Sequence, residues 1–189
     1  MSNYASVSLR NYPSHLLNAL ALAGICGSLL MAFYLQIFNN ELPCPLCMLQ
    51  RIGLMLVALG LFLNVRFGPS AVHYAIIIVS AMVGASVSLR QDLLHIIPGT
   101  GGYGSTIFGY HLYTWGFIAF MGIILFTALM LVLDSKRMAS GQARHGPTWM
   151  ATGFGTLLVI IAIGNLLSNV LVCGFSICGD TPTGYILFS

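Results

Sequence analysis

Five stretches of this chain, roughly Leu16–Phe38, Leu46–Val65, Ala71–Leu89, Leu112–Leu133 and Trp149–Val172, are long and apolar, and only the second holds a charge, Arg51. Each approaches the ~20 residues that a helix needs, at ~1.5 Å per residue, to cross a bilayer core. No other feature restricts the fold so strongly, because in lipid every backbone N–H and C=O must find its partner within the protein. Charged residues make up 6% of the 189, against ~25% in soluble domains, too few to cover a water-facing surface. The chain therefore reads as an all-α integral membrane protein. Its seven basic residues are scattered and form no patch for nucleic acid. The small Ala-Leu-Ala triplets open the first run instead of following it, so that run is expected to stay as an anchor.

Orientation follows from the basic residues. With the N-terminus in the cytoplasm, Arg10, Arg66, Lys136, Arg137 and Arg144 fall inside, while Glu41, Asp92 and Asp180 fall outside. The reverse orientation places only Arg51 and Arg90 inside. Five spans then carry the C-terminus to the outer face, so Cys44, Cys47, Cys173 and Cys178 share that face and Cys26 lies mid-membrane. Outside a bacterial inner membrane disulfides persist, and four outward cysteines in two close pairs suit two dithiol/disulfide couples.

The chain is expected to be a single membrane domain over 1–189, without internal repeat and without strands. "RFGPSA" is a tight turn after the second run, and "DSKRMASGQARHGP" is a polar, basic loop after the fourth. The loop "RQDLLHIIPGTGGYGSTIFGYH" is rich in glycine and aromatics. Its "LLHII" is a candidate interfacial helix, and the glycines after Pro98 favour mobility. Gly24, Gly27 and Ser28, and Gly84, Ala85, Ser86 and Ser88, are small residues of the kind found at close helix contacts in lipid.

The densest chemistry is "CPLCMLQR", residues 44–51. Haem attachment would need His directly after the second cysteine, and Met48 stands there. A thioredoxin-like CxxC needs a βαβ setting. A four-thiolate zinc site from Cys44, Cys47, Cys173 and Cys178 and a purely structural disulfide remain alternatives to a redox couple. The redox reading accounts for most features. Pro45 suits a first helical turn, which puts Cys47 where the helix N-terminus favours a thiolate. Arg51 lies four residues on, on the same face, and its side chain leans back toward Cys47. A cation at the bilayer edge either serves function or snorkels to the interface. A thiolate beside a cation at that depth is suited to passing two electrons to a lipid-soluble acceptor such as a quinone.

"LPCPLCMLQRIGL" resembles the signature of the disulfide bond formation protein B (DsbB) family, with "LRQDLLHIIP" and "GYHLYTW" similar to two of its other segments. The resemblance covers about residues 15–133. It implies a four-helix transmembrane bundle, to which this chain adds a fifth transmembrane helix (149–172) and an outer tail (173–189). It further implies a bacterial inner-membrane enzyme that oxidises a periplasmic thioredoxin-like dithiol partner of the DsbA kind and reduces ubiquinone or menaquinone. Carried over by match, Cys44 and Cys47 are the quinone-proximal pair and Arg51 the quinone-contacting cation, with Gln91 near the same pocket.

The chain departs from the family in its second cysteine pair. The family carries it between spans 3 and 4, where this chain has none, and "CGFSICGD" follows the fifth span instead. Cys173 and Cys178 are thus expected to take over the partner-facing role, with a tail-clamping disulfide as the alternative. His95 and His111 are candidates to protonate reduced quinone or are ordinary interface histidines. Cys26 reads as a small buried hydrophobe, and Tyr103, Tyr110, Tyr113 and Trp115 as an aromatic belt. Arg90 and Asp92 either serve the site or anchor the end of the third span. A fold of the vitamin K epoxide reductase kind also pairs CxxC with loop cysteines, but keeps its CxxC late in the bundle.

Overall fold

The structure is a computed structural model that describes residues 13–97, 102, 104–139, 147–174 and 184–185. Arg10, Pro98, Tyr103, Arg144, Cys178 and Asp180 lie outside the described residues, as does the side chain of Arg137. Five helices, α1 (Pro13–Phe38), α2 (Pro45–Phe67), α3 (Ala71–Leu94), α4 (Leu112–Ala139) and α5 (Thr148–Cys173), carry nearly all of the described chain. All five are long and apolar enough to cross a membrane, and the protein is an all-α, multi-pass membrane protein. Leu125, Val132, Val72 and Leu166, each more than 60% exposed, are the side chains a bilayer would cover.

Helix α2 begins where the sequence places it. Cys44 is the N-cap, with extended backbone (φ −71°, ψ 163°), and its Sγ accepts the Cys47 N–H at 3.1 Å. Pro45 takes the first helical position, where the missing N–H breaks no bond. At the other end Gly68, at φ 90°, supplies a backbone turn that a side chain would resist.

The first four spans pack in chain order, α5 packs on α2 rather than on α4, and α2 is central, touching α1, α3 and α5. Contact between α1 and α4 is sparse, so the ring of four helices does not close tightly there. The tight seam is elsewhere: a Cβ on Gly84 of α3 would run into the fully buried Phe120 ring of α4, and one on Gly53 of α2 would lie 3.3 Å from both Phe120 and the Gly84 Cα. The close contact expected at Gly84 is therefore present. That expected at Gly24 and Gly27 is not, since a Cβ on either would meet nothing within 4 Å beyond the backbone of α1 itself. Both sit on the outward face of α1, where a small residue has no neighbour to admit.

Two further expectations are corrected. "LLHII" is no separate interfacial helix: α3 runs on to Leu94 and ends at His95, whose N–H bonds to Asp92 O at 3.1 Å. No helix breaker precedes Pro98, and Gln91, one turn inside the extension, is 1% exposed and anchored. Strands are also present. Thr106–Ile107 (β1) and Tyr110–His111 (β2) form an antiparallel hairpin. Its two-residue turn, Phe108 and Gly109, has positive φ at both positions (52° and 82°), the twist that hairpins of this length favour.

At the end of the bundle far from CPLC the helices are locked by polar side chains. Tyr74 donates to Asp134 Oδ2 at 2.7 Å, and Asn18 Nδ2 donates to Tyr74 at 3.2 Å. Asn64 Nδ2 donates to Asn18 Oδ1 at 3.2 Å, while Asn64 Oδ1 accepts the Ser70 N–H at 3.3 Å. These four side chains come from α3, α4, α1 and α2, and none is more than 2% exposed. Interhelical hydrogen bonds of this kind contribute on the order of 0.6 kcal/mol each in a bilayer. Each also spares a buried polar atom the larger cost of having no partner.

Candidate functional site

At the CPLC end, Cys44 and Cys47 are joined in a disulfide, their Cα atoms 5.0 Å apart. Their sulfurs differ in setting. Cys44 is 5% exposed and faces α3, whereas Cys47 stands on the wall of a cleft of about 700 Å³. The cleft occupies the gap between α1 and α4, with α2 as its floor. Its walls are mostly apolar, Ile25, Met31, Leu35, Leu54, Ala119 and Phe120 among them, and Cys47, Gln50 and Arg51 line one side. The α-helical spacing of Cys47, Gln50, Arg51 and Leu54 (i, i+3, i+4, i+7) puts all four on one face of α2.

Arg51 is nearly buried and held from α1. Its Nη1 donates to Gln36 Oε1 at 2.8 Å and its Nη2 to Ala32 O at 3.1 Å. The guanidinium carbon lies 5.3 Å from the centre of the Phe33 ring, a cation–π distance. Both acceptors are neutral, so the guanidinium keeps its full positive charge at the cleft wall. Arg51 does not snorkel out to the interface; it is built into the bundle.

Gln91 reaches the disulfide directly. Its Nε2 lies 3.4 Å from Cys44 Sγ and 3.7 Å from Cys47 Sγ, and its Oε1 accepts from Gln50 Nε2 at 2.9 Å. An amide N–H aimed at sulfur favours whichever sulfur carries more negative charge. His95 stands one step back: its Nδ1 is 2.9 Å from Gln91 O, and its ring stacks on Tyr113 at 5.5 Å. His111 stacks on the same tyrosine at 5.1 Å. Tyr113 is 6% exposed and lines the cleft, so it belongs to the site and not to an aromatic belt. Tyr110, at 59% exposed, faces outward as a belt would, whereas Trp115 also lines the cleft and donates its indole N–H to Ile107 O at 3.0 Å. Asp92 accepts from Thr114 at 2.6 Å and ties α3 to α4. Arg90 is exposed. Cys26 is free, 2% exposed and part of the apolar core.

Helix α5 delivers Cys173 to the same end. Cys173 is disulfide-bonded, and its Sγ lies 3.8 Å from the sulfur of Met48, the residue after Cys47. Cys178 lies outside the described residues.

Three participants escaped the sequence reading: Gln36, Gln50 and Ser168. Gln36 and Ser168 are polar residues inside otherwise apolar runs, and that was the available signal. Which helix face they share with Arg51 depends on packing, which a single sequence does not display.

Residues 14–102 match the family described as "Disulfide bond formation protein DsbB". Over this segment the chain is similar to the DsbB family. The match holds α1 to α3, with both cysteines of CPLC, Arg51, Gln91 and His95, and leaves α4 and α5 outside. Among curated relatives, Disulfide bond formation protein B of Chromobacterium violaceum is 40% identical over 96 residues, 49% of this chain and 56% of the relative. That of Burkholderia pseudomallei is 38% identical over 101 residues, 51% and 58% of the two chains. Disulfide bond formation protein B 1 of Pseudomonas fluorescens is 29% identical over 155 residues, 65% and 89% of the two. The chain spans about half the length of most of the curated relatives it matches. No solved structure matches it at a significant level.

Proposed function

We propose that this chain is a disulfide-forming thiol:quinone oxidoreductase of the bacterial inner membrane. In this reading the N-terminus is cytoplasmic and the CPLC end periplasmic. It reoxidises a soluble thioredoxin-like dithiol protein of the DsbA kind and delivers the electrons to ubiquinone or menaquinone. The observation that carries the reading is the Cys44–Cys47 disulfide with Cys47 on the wall of an apolar cleft that Arg51 also lines.

The cleft fits a quinone ring: it has apolar walls, a volume in the range of small-molecule sites and one fixed cation. When bound, a quinone supplies a two-electron, two-proton acceptor. The chain's own residues do the rest. A thiolate of the incoming dithiol attacks one sulfur of the Cys173/Cys178 disulfide, a mixed disulfide forms, and the second thiolate resolves it. Two electrons and two protons leave the partner, and a dithiol is left behind. The same exchange then opens Cys44–Cys47. Gln91 donates its amide N–H toward the Cys44 and Cys47 sulfurs and steadies the negative charge that opening creates. Arg51 holds positive charge where an oxygen of the acceptor gathers electron density, an arrangement worth most in a water-poor site. His95 braces Gln91 through its backbone carbonyl and stacks on Tyr113 of the cleft wall. The 3.8 Å approach of Cys173 to Met48 supports a partner-facing pair at this end.

The test is turnover in lipid nanodiscs with a thioredoxin-like dithiol donor and a short-chain quinone, followed by loss of quinone absorbance. Stoichiometric quinone reduction that disappears in Cys47→Ser is expected; no reduction by wild-type protein defeats the reading. The main rival is a non-catalytic membrane subunit or zinc-binding module. Its zinc-binding form requires free thiolates, whereas Cys44 and Cys47 are bonded to each other and Cys173 is disulfide-bonded. One zinc per purified chain, with no reducible disulfide, would favour that rival.

A further inference from the structure

Helix α5 lies outside the DsbB-matched segment, yet it touches the residues that hold Arg51. Gln36 of α1 is the bridge. Its Oε1 accepts from Arg51 Nη1 at 2.8 Å, and its Nε2 donates to Ser168 Oγ of α5 at 2.8 Å. The Ser168 hydroxyl also lies 3.0 Å from Gln36 Oε1. Gln36 is 4% exposed and Ser168 5%, so water reaches neither amide nor hydroxyl freely.

An amide has two unlike ends, and only the oxygen end suits a guanidinium, since Arg51 has donors and no acceptor. In this orientation the carbonyl oxygen accepts from Arg51 while Ser168 Oγ supplies the acceptor that Nε2 needs. Without the hydroxyl, Nε2 would be buried with no acceptor, and rotation of the amide to find one would turn an N–H toward the guanidinium. A second contact points the same way. A Cβ on Gly164, one turn before Ser168, would lie 3.3 Å from the Phe33 ring, the ring beneath the Arg51 guanidinium. α5 thus braces both the hydrogen-bond acceptor and the aromatic partner of one cation.

We propose that Ser168 is a positioning residue for Arg51, acting through Gln36, and that α5 is thereby a working part of the redox site. The functional half of this inference rests on the quinone reading above; the structural half does not. Ser168 touches no reacting atom and acts only by fixing where the charge sits.

The test labels arginines with phenylglyoxal in nanodiscs and quantifies Arg51, Arg66 and Arg90 by mass spectrometry, alongside quinone kinetics. In Ser168→Ala, loss of one buried hydrogen bond should raise Arg51 labelling roughly three- to tenfold, with Arg66 and Arg90 unchanged. The kcat of quinone reduction should fall by a similar factor, because Arg51 acts on charge that develops only during reduction. Ser168→Thr keeps the hydroxyl and should restore both. Unchanged Arg51 labelling in Ser168→Ala, an equal rise at all three arginines, or identical behaviour of the Ala and Thr variants overturns the proposal. Selective labelling in a protein that never reduces quinone would leave the positioning role standing and remove the quinone reading instead.

Discussion

The bundle carries buried polar side chains at both ends, and the two ends use them differently. At the far end Asn18, Asn64, Tyr74 and Asp134 bond to one another across four helices, and none of them lines the cleft. At the CPLC end Gln36, Arg51, Ser168, Gln50 and Gln91 are as well buried or nearly so, but Arg51 and Gln50 also border a cleft of about 700 Å³. The far-end set satisfies its own groups and holds helices in register. The near-end set aims a cation and an amide at two sulfurs and an open space. Burying polar groups in lipid is costly in both places; one network offsets that cost with packing, the other leaves it available to a ligand.

Substitutions separate the two. The largest effect is expected from Cys47→Ser, which removes the sulfur on the cleft wall: quinone reduction should fall to background, with thermal unfolding close to wild type. Arg51→Met comes next. Quinone reduction should drop by roughly 10²–10³, the scale of losing one preorganised charge-stabilising group. Stability should hold or rise, because a buried charge gives way to an apolar side chain of similar length. If Arg51→Met unfolds the protein while activity per folded molecule persists, the near-end network is structural like its counterpart.

The far end should behave in the opposite sense. Tyr74→Phe leaves Asp134 Oδ2 and Asn18 Nδ2 without that hydroxyl, and should cost about 1–3 kcal/mol of stability. Its quinone kinetics per folded molecule should match wild type; a changed KM would show that the two ends communicate. The smallest effect is expected from Gln91→Leu, where the disulfide loses a weak amide donor. Reduction of Cys44–Cys47 by dithiothreitol should slow by a few-fold, in keeping with about 1 kcal/mol for a hydrogen bond, with Arg51 labelling unaltered.

How much of this was legible in the sequence depends on whether a property is local. Span number and length follow from apolar runs, and the start of α2 follows from Pro45, so both were readable. That Cys47 and Arg51 share one face of α2 follows from helical spacing along one segment, and it too was visible. Contacts between segments were not. Gly24 and Gly84 look alike in sequence, yet a Cβ on one would meet nothing within 4 Å beyond its own helix and the other holds the Phe120 ring. Gln36 and Ser168, 132 residues apart, meet only because α5 packs on α1 and α2. The hairpin at 106–111 depends on positive φ at Phe108, which that residue type does not advertise.

The sparse contact between α1 and α4 has a consequence for how the protein must be assayed. On the proposed quinone reading, an opening between two membrane spans lets the acceptor arrive sideways, by diffusing within the sheet of lipid. The relevant supply is then the number of acceptor molecules per lipid, not per litre of buffer. Diluting the vesicles with water should leave turnover unchanged, and adding empty lipid that mixes with them should slow it.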